Sequence, residues 1–78
     1  MNLDKLRGKI TEKRMSQSEL AKKMGLSLQA INMKLTGKRT ISVPEAAMMI
    51  EILEIKNPLE IFFDNYISNM QRNKKRRE

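Results

Sequence analysis

The chain has 78 residues with a formal net charge of +7, and it contains no cysteine and no histidine. The lack of cysteine excludes disulfide bonds and cysteine-ligated zinc. The lack of histidine removes the commonest metal ligand and the usual general base near neutral pH. The longest apolar run, from Ala46 to Ile50, is too short to cross a membrane, and the charged start of the chain lacks a signal-peptide pattern. We therefore expect a single cytoplasmic domain that is not an enzyme, with no cofactor, metal ion, membrane contact or small-molecule ligand.

The charge is unevenly distributed along the chain. Residues 5–39 hold ten Lys or Arg side chains against two acidic ones, whereas residues 40–71 hold one against five. Residues 72–78 are basic again, with five Lys or Arg side chains and one acidic side chain. A one-sided positive surface is typical of proteins that bind a polyanion, although a lysine-rich surface that serves only solubility accounts for the charge equally well.

Helix start and stop signals predict an all-α chain. A capping box begins at Ser16 and again at Ser42, and Asn57 stands before a proline as a helix cap. Gly25 supplies a left-handed residue at a helix end. Five helices are expected, from Asn2 or Leu3 to Lys13, Gln17 to Met24, Leu28 to Leu35, Val43 to Leu53, and from Pro58 onward.

Apolar residues at helical spacing predict which side of the last two helices faces the core. In the fourth helix, the residues expected to be buried are Ala46, Ala47, Ile50 and Leu53. In the fifth helix, an apolar stripe extends the helix past Phe63. Its members are Leu59, Phe62, Phe63, Tyr66, Ile67 and Met70. Either Phe62 or Phe63 is expected to close the core, which leaves the other exposed.

The stretch from Gln17 to Gly37 carries the pattern of a helix-turn-helix. Ala21 is small enough for two helices to cross closely, and Gly25 tolerates the positive φ of a tight turn. Ile31, six residues after that glycine, closes the small core beneath the turn. The second helix of such a motif protrudes and is narrow enough to enter the major groove of DNA.

The chain resembles the lambda-repressor-like, or Cro/repressor-type, helix-turn-helix proteins (the XRE family), and most of all the small Cro-like regulators of phages from Gram-positive bacteria. The resemblance covers roughly residues 3–63, and the matching stretches are SQSELAKKMGLS, INMKLTGKR, SVPEAAMMIEIL and IFF. It implies a five-helix fold over residues 1–70 and a homodimeric repressor that binds double-stranded operator DNA in the bacterial nucleoid. One position departs from the family, because Lys34 stands where an apolar or aromatic residue is usual. The rotation of the third helix is thereby left open by part of a turn.

The resemblance also implies which residues meet DNA. Residues expected to read base edges from the third helix are Leu28, Gln29, Asn32 and Met33. An amide such as that of Gln29 pairs with adenine through two hydrogen bonds, and Leu28 offers apolar contact to a thymine methyl group or, equally, fills the core. Residues expected to contact backbone phosphates are Gln17, Ser27, Lys34, Lys38, Arg39 and Thr40.

The C-terminal part of the chain leaves alternatives open. Residues expected at a homodimer interface are Phe62, Phe63, Tyr66 and Ile67, and the alternative is a self-contained five-helix core. Residues 71–78 form a basic tail that we expect to be disordered, with a phosphate-gripping arm or a lipid contact as the alternatives. The rival function is a protein-interaction module, antitoxin-like or anti-repressor-type, that uses the aromatic residues of the fifth helix.

Overall fold

The computed structural model describes residues 1–64, which form five helices and no strand. The helices are α1 (Leu3–Glu12), α2 (Gln17–Met24), α3 (Leu28–Leu35), α4 (Val43–Ile52) and α5 (Pro58–Phe62). The all-helical expectation is therefore confirmed for this part of the chain. Tyr66, Ile67, Met70 and the tail at 71–78 lie outside the described residues. None of the helices in residues 1–64 has the length and apolar character that a bilayer crossing requires.

Side-chain caps explain why the helices begin where they do. Ser16 accepts a hydrogen bond from the Glu19 N–H, and the Glu19 carboxylate accepts one from the Ser16 N–H, at 3.1 and 3.2 Å. Ser42 and Glu45 form the same reciprocal pair at the start of α4. Asn57 differs from the expectation, because its amide donates to the Glu60 carboxylate and makes no cap hydrogen bond. The two serine boxes satisfy backbone N–H groups that have no partner within the helix.

Four helix ends use a left-handed residue, and the one after α3, Gly37, is described with the loop that it begins. Gly25 ends α2 with a φ of 71°, which a glycine adopts without steric cost. Arg14 and Glu54, just after α1 and α4, have φ values of 54° and 51° although both carry side chains. The Lys13 ammonium lies 3.0 Å from the Glu54 carboxylate, so these two helix ends meet in space.

One continuous core joins all five helices. Its fully buried members are Leu6, Leu20, Ile31, Leu35, Met49, Leu53 and Ile61. Helix α2 packs against α3 and α4, and α1 packs against α3 and α5. Helix α3 is therefore supported on its inner side by both α1 and α2, which leaves its other side free to face outward.

The buried side of α4 differs from the prediction. Ala47 is exposed and Ile50 is only half-buried, whereas Met49 is fully buried beside Ala46 and Leu53. The prediction failed because α4 is apolar on nearly every side, so spacing alone does not select a face. The buried position goes to Met49, whose long, flexible side chain is suited to irregular spaces in a core.

The fifth helix is shorter than the apolar stripe predicts. It ends at Phe62, and Phe63 has a non-helical φ of −130°. The carbonyl group of Ile61 accepts a hydrogen bond from the Asn2 N–H at 2.6 Å, which fixes this end of the helix against the start of α1. Phe62 is 5% exposed and belongs to the core of the monomer, so the structure contradicts its predicted place at a dimer interface. Phe63 is the exposed member of the pair.

Candidate nucleic-acid interface

Helix α3 has one buried side and one exposed side. Ile31 and Leu35 are fully buried, whereas Gln29 and Asn32 are exposed and Leu28 is half exposed. The exposure of Leu28 rules out the alternative that it fills the core. The four residues predicted to read bases thus lie along the outward part of α3, and only the fourth, Met33, is partly buried.

The start of α2 touches the outward part of α3. The Asn32 side-chain amide donates a hydrogen bond to the Gln17 side-chain oxygen over 3.4 Å. A predicted phosphate contact and a predicted base contact are therefore neighbours. Sequence reasoning placed both residues on the same surface but missed this contact, because no local pattern links positions 15 residues apart.

The loop after α3 folds back onto the helix that precedes it. The N–H groups of Lys38 and Arg39 both donate to the Met33 carbonyl oxygen, at 2.9 and 3.1 Å. Gly37 makes this reversal possible with a φ of 83°. The side chains of Lys38, Arg39 and Thr40 are exposed. A shallow cleft joins this loop to α3, and it is lined by Ser27, Gln29, Ala30, Met33 and Arg39.

Lys34 does not lie on this surface. It is only 9% exposed, and its ammonium donates to the Glu45 carboxylate at 2.8 Å and to the Thr40 carbonyl at 3.1 Å. The structure therefore contradicts the predicted phosphate contact. The aliphatic stem takes the inward position that an apolar residue would fill, next to Ile31 and Leu35, while the charged end reaches a carboxylate. This placement also fixes the rotation of α3, which the sequence left open.

Glu45 is held in its charged form. Its hydrogen bond with Lys34 lowers the pKa of the carboxyl group from its ordinary value of 4.5, and the bond from the Ser42 N–H lowers it further. Burial of the carboxyl group raises its pKa, but the hydrogen bonds lower it by more. The same carboxylate thus completes the capping box of α4 and pairs with the last turn of α3.

A second long-range contact holds the same C-terminal end of α3. The Arg7 guanidinium, on α1, donates a hydrogen bond to the Leu35 carbonyl group and another to the Asp4 carboxylate. A cation at a helix C-terminus is favourable because carbonyl groups there have no helical partner. Sequence analysis missed Arg7, since its role depends on a partner 28 residues away.

The described surface lacks the residue clusters that hold metal ions. Within residues 1–64, no group of three or more His, Cys, Asp or Glu side chains lies close enough together to bind one. The chemistry that the α3 surface offers is instead hydrogen bonding by amides, apolar contact by Leu28 and positive charge at Lys38 and Arg39. These groups suit a polar, negatively charged partner.

The fold and the surface together define a small all-helical protein with a polar exposed helix beside a basic loop. The chain belongs to the DUF739 family, described as a protein of unknown function, whose family model matches residues 1–65. No curated protein and no solved structure matches the chain. The family match spans nearly the same residues as the described fold, and it carries no function to the chain.

Proposed function

We propose that this protein is a sequence-specific transcriptional regulator that binds double-stranded DNA, with a lambda-repressor-like helix-turn-helix formed by α2 and α3. The observation that carries the proposal is the exposed side of α3, which presents Gln29 and Asn32 outward while the rest of the helix is anchored in the core. An α-helix fits the major groove, where each base pair offers a distinct pattern of donors and acceptors. On this view α3 is the recognition helix of a Cro-like repressor.

The residues around α3 supply the phosphate contacts in this proposal. Lys38 and Arg39 stand on an exposed loop that is pinned to α3 through Met33, so their charges lie beside the proposed base-reading side chains. Ser27 and Gln17 flank the same surface at the starts of two helices, where N–H groups favour an anion. Phosphate contacts of this kind supply most of the affinity and its dependence on salt.

We also propose that the regulator acts as a homodimer on operator DNA in the bacterial cytoplasm. Leu59 and Phe63, which stand four residues apart, are 57% and 41% exposed, and apolar side chains that adjoin one another on a surface are typical of a contact between proteins. Their association across two copies would remove this surface from water. Two copies would then place their α3 helices about 34 Å apart, in successive major grooves on one side of the duplex.

The exposed pair Leu59 and Phe63 also favours a second candidate, a protein-interaction module of an antitoxin-like or anti-repressor kind. This function would use the α5 surface and not the α3 surface. Binding to a protein partner would then survive replacement of Lys38 and Arg39 by alanine, whereas DNA binding would not.

Selection of bound duplexes from a random pool, at physiological salt, tests the proposed function. We expect an enriched sequence arranged as an inverted repeat, with half-sites separated by about one turn of B-DNA. A variant that carries Lys38→Ala and Arg39→Ala should enrich nothing. A pool that stays random for the unaltered protein, even at low salt, would contradict DNA recognition.

A further inference from the structure

We propose that Lys34 and Glu45 are a positioning pair, which holds the loop at residues 36–40 in the conformation that grips DNA phosphates. The inference rests on the proposed function and assigns a new role within it. Neither residue touches DNA on this view. Both act through the loop that carries Lys38 and Arg39.

The Lys34 ammonium joins three segments of the chain at one point. Lys34 belongs to the last turn of α3, Thr40 ends the loop, and Glu45 lies in the first turn of α4. The ammonium donates to the carboxylate of Glu45 at 2.8 Å and to the carbonyl of Thr40 at 3.1 Å. Both ends of the loop are therefore fixed, because the Thr36 N–H at its start donates to the Asn32 carbonyl oxygen at 3.0 Å. Between these ends, the Met33 carbonyl oxygen accepts from the N–H groups of Lys38 and Arg39.

The burial of the pair favours positioning over direct contact with DNA. The two side chains are 11% and 17% exposed. An ammonium that left this site for a phosphate would give up its hydrogen bond to the Thr40 carbonyl and leave the partly buried Glu45 carboxylate unpaired, which is unfavourable.

An apolar residue at position 34 would fill the same space without tying the loop. Replacement of a buried ion pair by apolar side chains is often neutral or stabilising, so stability alone does not account for Lys34. What the ammonium adds is a connection between α3 and the far end of the loop. A loop held at both ends loses less conformational freedom when it binds.

The decisive variant is Glu45→Gln, because glutamine also completes a capping box and so preserves the start of α4. The matched control is Glu51→Gln, which removes an exposed carboxylate from the same helix and corrects for the change in net charge. If the pair positions the loop, we expect Glu45→Gln to bind duplex DNA about tenfold more weakly than Glu51→Gln. If Lys34 instead reached phosphate, Glu45→Gln would free its ammonium and bind more tightly, which would overturn the proposal.

Amide hydrogen exchange in the DNA-free protein provides a second measurement. We expect the Lys38 and Arg39 amides to exchange severalfold faster in Glu45→Gln than in Glu51→Gln, with the amides of α1 unchanged. Unchanged exchange at Lys38 and Arg39 would contradict the positioning role. This measurement needs no DNA, so it decides whether the pair holds the loop independently of DNA binding. A failure to bind any duplex would contradict the proposed function only.

A second variant guards against misfolding of the first. Lys34→Met keeps the buried stem and removes only the ammonium, and Lys56→Met is its control for charge at an exposed position. We expect Lys34→Met to show the same faster exchange and weaker binding relative to Lys56→Met. Equal behaviour of these two variants, both folded by circular dichroism, would overturn the proposal.

Discussion

The charge of Lys38 should contribute to DNA affinity without affecting sequence choice. Its exposed side chain stands on the loop beside α3. Each phosphate contact releases about one counterion from DNA when the protein binds. We therefore expect Lys38→Ala, which removes one such contact, to reduce the slope of log affinity against log salt by about one unit. Fluorescence anisotropy with a labelled duplex over a salt series measures this slope.

Lys56→Ala is the matched control for this change, since Lys56 is also exposed but lies after α4, in the acidic part of the chain. We expect it to leave the slope unchanged. Equal slopes for the Lys38 and Lys56 variants would remove Lys38 from the phosphate contacts.

Glu45 should make the stability of the fold depend on pH. The pKa of this carboxyl group is lowered in the folded protein. The charged Glu45 side chain therefore stabilises the fold fully at pH values above the ordinary pKa of 4.5. This stabilisation is lost as the pH falls through the folded-state pKa. We expect the free energy of unfolding to fall with acidification below that value, and Glu45→Gln to flatten the fall. Urea unfolding across a pH series measures it. A Glu45→Gln variant with the same acid dependence as Glu51→Gln would disprove the assignment.

Lys34 shows where prediction from sequence fails at the scale of a residue. Its spacing from Ile31 and Leu35 indicates an inward position, whereas its charge indicates an outward one. The conflict is resolved by Glu45, 11 residues away on another helix. Only the three-dimensional structure shows that a carboxylate lies within reach of the buried stem.

At the scale of the elements, local signals were sufficient for α2 and α3. Both helices have the predicted bounds, because Ser16 and Ser27 cap their starts and Gly25 ends the first of them. The later helices depend on packing with distant parts of the chain. For α4, spacing therefore predicted the burial of Ala46 and Leu53 but not that of Met49, and for α5 it did not predict the break at Phe63.

The end of α1 contains strain that a substitution can relieve. Arg14 has a φ of 54° and an exposed side chain, and a left-handed conformation costs an L-residue roughly 1–2 kcal/mol. We expect Arg14→Gly to raise the free energy of unfolding by about 0.5–1 kcal/mol, since the greater freedom of unfolded glycine offsets part of the gain. Arg14→Ala, which keeps the β-carbon, should bring no gain. Thermal unfolding of the three proteins decides this, and a glycine variant no more stable than the alanine variant would contradict it.

At the scale of the whole molecule, the two adjacent phenylalanines should separate folding from self-association. Phe62 is buried, so Phe62→Ala should lower the free energy of unfolding by about 3–5 kcal/mol. Phe63 is 41% exposed, so Phe63→Ala should leave the monomer folded and weaken a dimer. Sedimentation velocity over a concentration series measures association. An unchanged association constant for Phe63→Ala would exclude this side chain from the dimer interface.

The candidate surface was predictable in its composition but not in its internal contacts. The exposed positions Gln29 and Asn32 follow from the helical spacing of Ile31 and Leu35, which face the other way. The hydrogen bonds from Asn32 to Gln17 and from Arg7 to Leu35 depend on how α1, α2 and α3 pack. Spacing within one helix therefore predicts which residues are outward, and tertiary packing determines how firmly they are held there.

The most direct test of the proposed recognition helix is the effect of Gln29→Ala on two duplexes, the sequence selected by the protein and a random sequence of equal length. We expect the substitution to cost about 1–3 kcal/mol of binding free energy on the selected duplex and little on the random one, because only base contacts discriminate between them. Equal losses on both duplexes, or none on either, would contradict base reading by the exposed side of α3.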